Sequence, residues 1–124
     1  MNDIVNISNE IQSKIKILVD CRSKLKEKGE IKSKTIADYD KSIALVIMGL
    51  KNGKEYKLDN GLEFEFIINP PVTIIDKIAK GLCYKEKLAM EVAESDYKSL
   101  LTFIDCVQAE LNGFQSINRY LSEG

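Results

Sequence analysis

The stretch 90–121, MEVAESDYKSLLTFIDCVQAELNGFQSINRYL, decides how the rest of the chain is read. Met90, Ala93, Tyr97, Leu100, Ile104, Val107, Leu111, Phe114, Asn118 and Leu121 recur at alternating steps of three and four. A helix turns once every 3.6 residues, so this rhythm lays them on one narrow seam held for about four heptads. The spacing predicts a long coiled-coil-like helix over 84–121. Asn112-Gly113 lies off the seam, so the helix runs through it at a cost of about 1 kcal/mol for the glycine.

Such a seam serves either the core of its own monomer or a second copy. Two features favour the second copy. The helix would be about 60 Å long, against a radius of gyration of about 14 Å for a compact chain of this size. Asn118 sits where an apolar residue is expected, and a buried asparagine in a heptad seam fixes register and oligomer number at some cost in stability. The expected self-association seam is therefore Tyr97, Leu100, Ile104, Val107, Leu111, Phe114, Asn118 and Leu121. Arg119 and Tyr120 follow at once. They read either as an exposed pair for a ligand or partner, with arginine for phosphate or carboxylate and tyrosine for stacking, or as ordinary helix-end residues.

Upstream, KEYKLDNGLEFEFII changes period from helical to alternating. Tyr56, Leu58, Leu62, Phe64, Phe66 and Ile68 point one way, and Asn60-Gly61 suits a type I′ turn. This predicts a β-hairpin over about 54–68. Asn69-Pro70-Pro71 then ends the strand, and VTIIDKIAK forms a short helix over 71–80 that Gly81 stops or bends.

Toward the N-terminus, Ile4, Ile7, Ile11, Ile15, Leu18 and Leu25 form an apolar stripe with Arg22 on it. A first helix is predicted over 2–28, with Gly29 as its C-terminal stop. A second is predicted over 35–52, opened by Thr35 with Asp38 three positions on and closed near Asn52-Gly53. Ile36, Tyr39, Ile43, Val46, Ile47 and Leu50 carry its buried face. The 30–34 link is short, so these helices are expected to run antiparallel. The fold class is mainly α: an antiparallel helical bundle in one domain over 1–124, with a long C-terminal coiled-coil-like helix and one inserted β-hairpin.

Composition narrows the function. The 124 residues are 44% hydrophobic and 30% charged, which fits an ordinary soluble domain rather than a disordered one. A net charge of −1 gives no global pull toward nucleic acid or an anionic membrane. No stretch is long and apolar enough to span a bilayer, and MNDIVNISNEIQSKIKILV does not read as a signal peptide. Cys21, Cys83 and Cys106 are far apart and read as idle thiols in a reducing cytoplasm. There is no histidine, which excludes histidine-based catalysis and the commonest zinc sites. No nucleotide-binding glycine motif is present. We expect a non-enzymatic protein with no cofactor or metal.

Basic residues gather early. Lys14, Arg22, Lys24, Lys26, Lys28, Lys32 and Lys34 outweigh the nearby acids and make candidates for tracking the phosphates of single-stranded nucleic acid. They also fit a solvated helix face, because they point many ways and lack aromatic neighbours.

The order of helical hairpin, insert after LKNGK, and terminal helix YKSLLTFIDCVQAELNGFQSINRYL resembles the small phage recombination-mediator family typified by UvsY. The resemblance covers about 36–121. It implies a small helical protein that assembles into rings, binds single-stranded DNA and helps load a recombinase. Two other functions remain open. One is a phage inhibitor that sequesters a host-defence protein or small nucleotide signal, and the other is a structural or assembly chaperone.

Overall fold

The computed structural model describes residues 2–59, 64–67 and 69–123. Its elements are α1 (Asn2–Lys51), β1 (Tyr56–Asp59), β2 (Phe64–Ile67), α2 (Ile75–Leu82) and α3 (Tyr84–Glu123), with a 3-10 turn at Val72–Ile74 before α2. The protein is mainly α, with a long C-terminal helix and an inserted hairpin, as the periodicity indicates.

The two N-terminal helices predicted over 2–28 and 35–52 are one helix. Both expected punctuation marks are used differently. A Cβ on Gly29 would lie 3.5 Å from Cε2 of Tyr97, so the glycine sits under a tyrosine ring in mid-helix. Thr35 does not cap a new helix; its hydroxyl donates to the Lys32 carbonyl at 2.9 Å, a back-bond inside a continuing one. Asp38 accepts from Lys34 at 3.3 Å across one turn rather than closing a capping box.

The single domain expected from length divides into two compact units, Met1–Ile31 with Glu94–Gly124, and Lys32–Ala93. In the first unit the N-terminal part of α1 and the C-terminal part of α3 pair antiparallel. Lys14 meets Glu110 and Gly29 meets Tyr97, so numbering rises along one helix as it falls along the other. The sheltered line on α1 is Ile7, Ile11, Lys14, Leu18, Cys21, Leu25 and Lys28, in alternating steps of four and three. Against expectation, Ile4 and Ile15 are 41% and 45% exposed and Arg22 faces solvent. The stricter coiled-coil rhythm passes over them and admits Lys14 and Cys21 instead. On α3 the predicted seam is the sheltered line, with Val107 and Leu111 its most buried members.

In the second unit, α1 stops by a Schellman arrangement. Lys54 N–H donates to the Gly49 carbonyl at 2.8 Å and Gly53 N–H to Leu50 at 3.3 Å, with Gly53 at φ +80°. β1 and β2 pair antiparallel, Tyr56 opposite Ile67 and Asp59 opposite Phe64. The expected alternation is shifted by one, since Ile67 and not Phe66 stands opposite Tyr56. The join between the strands, 60–63, lies outside the described residues, and with it the Asn60-Gly61 turn and Leu62, as does Ile68. The short helix passes through Gly81 and breaks at Cys83, which accepts from Lys87 N–H to start α3. Leu50, Ile75, Ala79, Cys83 and Ala93 form this unit's core.

Candidate functional site

The seam residues lie where the heptad placed them, but they face α1 of the same chain. Tyr97, Leu100, Ile104, Phe114, Asn118 and Leu121 are half-buried, and Val107 and Leu111 are buried. A second copy could reach this seam only by displacing α1. Asn118 makes no side-chain hydrogen bond, and no buried polar side-chain atom among the described residues lacks a partner, so its amide keeps its solvent. It does not act as a buried register pin within the chain.

The structure does not bring the seven basic candidates together. Lys14 is part of the helix pair: its side chain is 18% exposed and its Nζ lies 2.9 Å from Glu110 Oε2. The hydrogen bond to Glu110 holds the Lys14 ammonium above the ordinary lysine value, against the opposing effect of burial. Lys28 and Lys32 are half-buried at sheltered positions. Lys34 is bound to Asp38. Arg22, Lys24 and Lys26 remain exposed and make no ion pair among the described residues. Each is two residues from the next, which is about 200° around the helix, so one chain cannot aim all three at one strand.

Arg119 and Tyr120 are both exposed, Tyr120 at 77%. They are consecutive in α3 and point about 100° apart, so they do not converge. Ser122 donates to the Arg119 carbonyl at 3.1 Å, an ordinary helix-end contact.

What stands out instead is a second stripe on α3, one residue before the seam at each step: Phe103, Cys106, Glu110, Gly113, Ile117 and Tyr120. Phe103 and Ile117 are 49% and 46% exposed, and Cys106 is an exposed free thiol. Glu110, Gly113, Phe114 and Ile117 line an open apolar groove of about 220 Å³. The signal was present in the sequence, because apolar residues recur at 103, 106, 117 and 120, but the stronger seam beside it masked it.

The other thiols are inert by position. Cys21 and Cys83 are buried, and burial, then the nearby Glu86 charge, pushes the Cys83 thiol up. Among the described residues no group of histidine, cysteine, aspartate or glutamate side chains is placed to hold a metal ion. No helix there is long and apolar enough to cross a membrane. No protein-family model matches the chain, and comparison with curated proteins and with solved structures gives no match.

Proposed function

We propose that the protein is a non-enzymatic, self-associating accessory factor of the phage type that acts in the host cytoplasm on single-stranded nucleic acid or on a nucleoprotein built upon it. The observation that carries the reading is the pairing of two features within one unit. α1 presents Arg22, Lys24 and Lys26, exposed and with no ion pair among the described residues, and α3 leaves an apolar stripe uncovered. A single chain scatters its cations around a helix. Two copies joined through that apolar face would offer two such sets of cations, which adds phosphate contacts for a flexible backbone.

The test is fluorescence anisotropy of a labelled single-stranded oligonucleotide across a salt series. The reading expects saturable binding whose logarithm falls linearly with log salt, with a slope of about −0.7 per phosphate neutralised. Charge reversal at Arg22, Lys24 and Lys26 together should flatten that slope. No binding at low salt by folded protein would sink the nucleic-acid half of the reading.

A second reading, binding of a protein as an inhibitor or assembly chaperone, is favoured by Leu45, Met48, Leu88 and Val92, all more than half exposed in the Lys32–Ala93 unit. Retention of oligomerisation with no affinity for nucleic acid would move the weight to it.

A further inference from the structure

We infer that two copies of this chain pair antiparallel through α3, using the stripe Phe103, Cys106, Glu110, Gly113, Ile117 and Tyr120 and not the heptad seam. The inference deepens the self-association half of the proposed function and does not depend on the nucleic-acid half.

The first ground is exposure. Phe103, Ile117 and Tyr120 are 49%, 46% and 77% exposed and lie with the exposed Cys106 along one line of α3, beside the open apolar groove.

The second ground is the symmetry of the stripe. Its steps run three, four, three, four, three, so it reads the same from either end. A two-fold interface needs such self-complementarity. Laid antiparallel on its copy and centred between Glu110 and Gly113, the stripe sets Phe103 against the partner's Tyr120. Cys106 then meets the partner's Ile117, and Glu110 meets the partner's Gly113. Glu110 brings its own counter-charge, Lys14, so the approach of two copies does not gather unpaired carboxylates. The groove of about 220 Å³ beside Gly113 is open to receive apolar groups of the facing helix.

The third ground is the glycine. Gly113 lies within α3, and a Cβ there would meet nothing within 4 Å. Nothing in its own chain requires a glycine at that point. A helix backbone approaching from a second copy would. The hydroxyls flanking the stripe are already satisfied: Thr102 donates to the Lys98 carbonyl at 3.1 Å and Ser116 to Asn112 at 3.0 Å. Covering the face therefore strands no donor. At its N-terminal end the stripe runs into Asp96 and Ser99, which bounds the contact to the last part of α3.

The decisive experiment is a disulfide trap with the full chain. Ile117→Cys places a thiol opposite the partner's Cys106. Within one helix these positions are about 16 Å apart, too far to link to each other. Mild oxidation should give a covalent dimer on a non-reducing gel, and Cys106→Ser in the same protein should abolish it. Gly113→Leu, whose Cβ would meet nothing within 4 Å in its own chain, should weaken the dimer at least tenfold by sedimentation while leaving the helical signal unchanged. An oligomer that forms without the Cys106-dependent link overturns this interface and leaves self-association standing. A monomer by light scattering at tens of micromolar overturns both.

Discussion

Lys14 and Glu110, almost at opposite ends of the chain, are joined by an ion pair of 2.9 Å, with the lysine at a core position and the glutamate on the flank. The lysine stem replaces an apolar residue in the line between Ile11 and Leu18, and the carboxylate holds its head at the edge of the pair. Removing the carboxylate leaves the sheltered ammonium without its hydrogen-bonded partner, with only the weaker pull of Glu10. Removing the lysine in favour of an apolar residue does not. We expect Glu110→Gln to lower the melting temperature and Lys14→Met to leave it level or raise it.

The same pair predicts a pH dependence. The Lys14 ammonium is held above its ordinary value of 10.5 in the folded chain. A raised lysine contributes its stabilisation in full below the unfolded value and loses it as pH climbs through the folded one. The stability gap between the native protein and Glu110→Gln should be flat from neutral pH to about 10.5 and should close above it. Urea titrations at a series of alkaline pH values would show this, and a gap that narrows between pH 7 and 9 would contradict it.

Glycine substitutions should split in sign. The Tyr56 hydroxyl and ring lie against Gly49, where an added Cβ would strike the hydroxyl. Gly49→Ala should destabilise by about 1–3 kcal/mol through overpacking, despite better helix propensity. Tyr56→Phe should recover part of that loss. Gly29→Ala, whose Cβ makes only van der Waals contact with Tyr97, should be neutral or stabilise by up to about 1 kcal/mol. A double-mutant cycle on urea melts measures both.

Much of this was legible in the chain itself, and the exceptions have physical causes. The sheltered line of α3 was plain from its 3-4 rhythm, but what it faces was not, since that rhythm suits α1 of the same chain as well as a second copy. The continuity of α1 was not, because Gly29 and Thr35 both act as helix boundaries in other contexts. Which role they take is set by the Tyr97 ring and the Lys32 carbonyl, and only tertiary structure supplies the first. Lys14 could not be read as a core member, since its place depends on a glutamate near the other terminus. The basic cluster was visible as composition, but the place of Lys14 in it required the pairing of α1 with α3, whereas the Lys34–Asp38 pair lies within one turn of α1.

Thiol reactivity should report the paired state. Cys106 is exposed in the single chain, while Cys21 and Cys83 are buried and the Cys83 thiol is raised. A thiol reagent should label one cysteine quickly in dilute protein and the other two only on unfolding. The fast rate should drop as concentration rises and Cys106 is covered. A rate independent of concentration in an oligomeric sample would place the contact elsewhere.

Hydrogen exchange across 29–35 offers a direct check on α1. A single helix predicts slow amides through Gly29 and Thr35, comparable with those of neighbouring turns. Fast exchange confined to 30–34 would restore a loop there.

The antiparallel register of α1 and α3 also limits how this gene can change length. Inserting one codon in either paired segment turns every later side chain by about 100° and carries the sheltered line off its partner. Insertions or deletions there are tolerated in sevens, and a gain on one helix needs a matching gain on the other. Homologues should therefore drift freely in length around 60–63, where the strands join, while the two helices lengthen or shorten together.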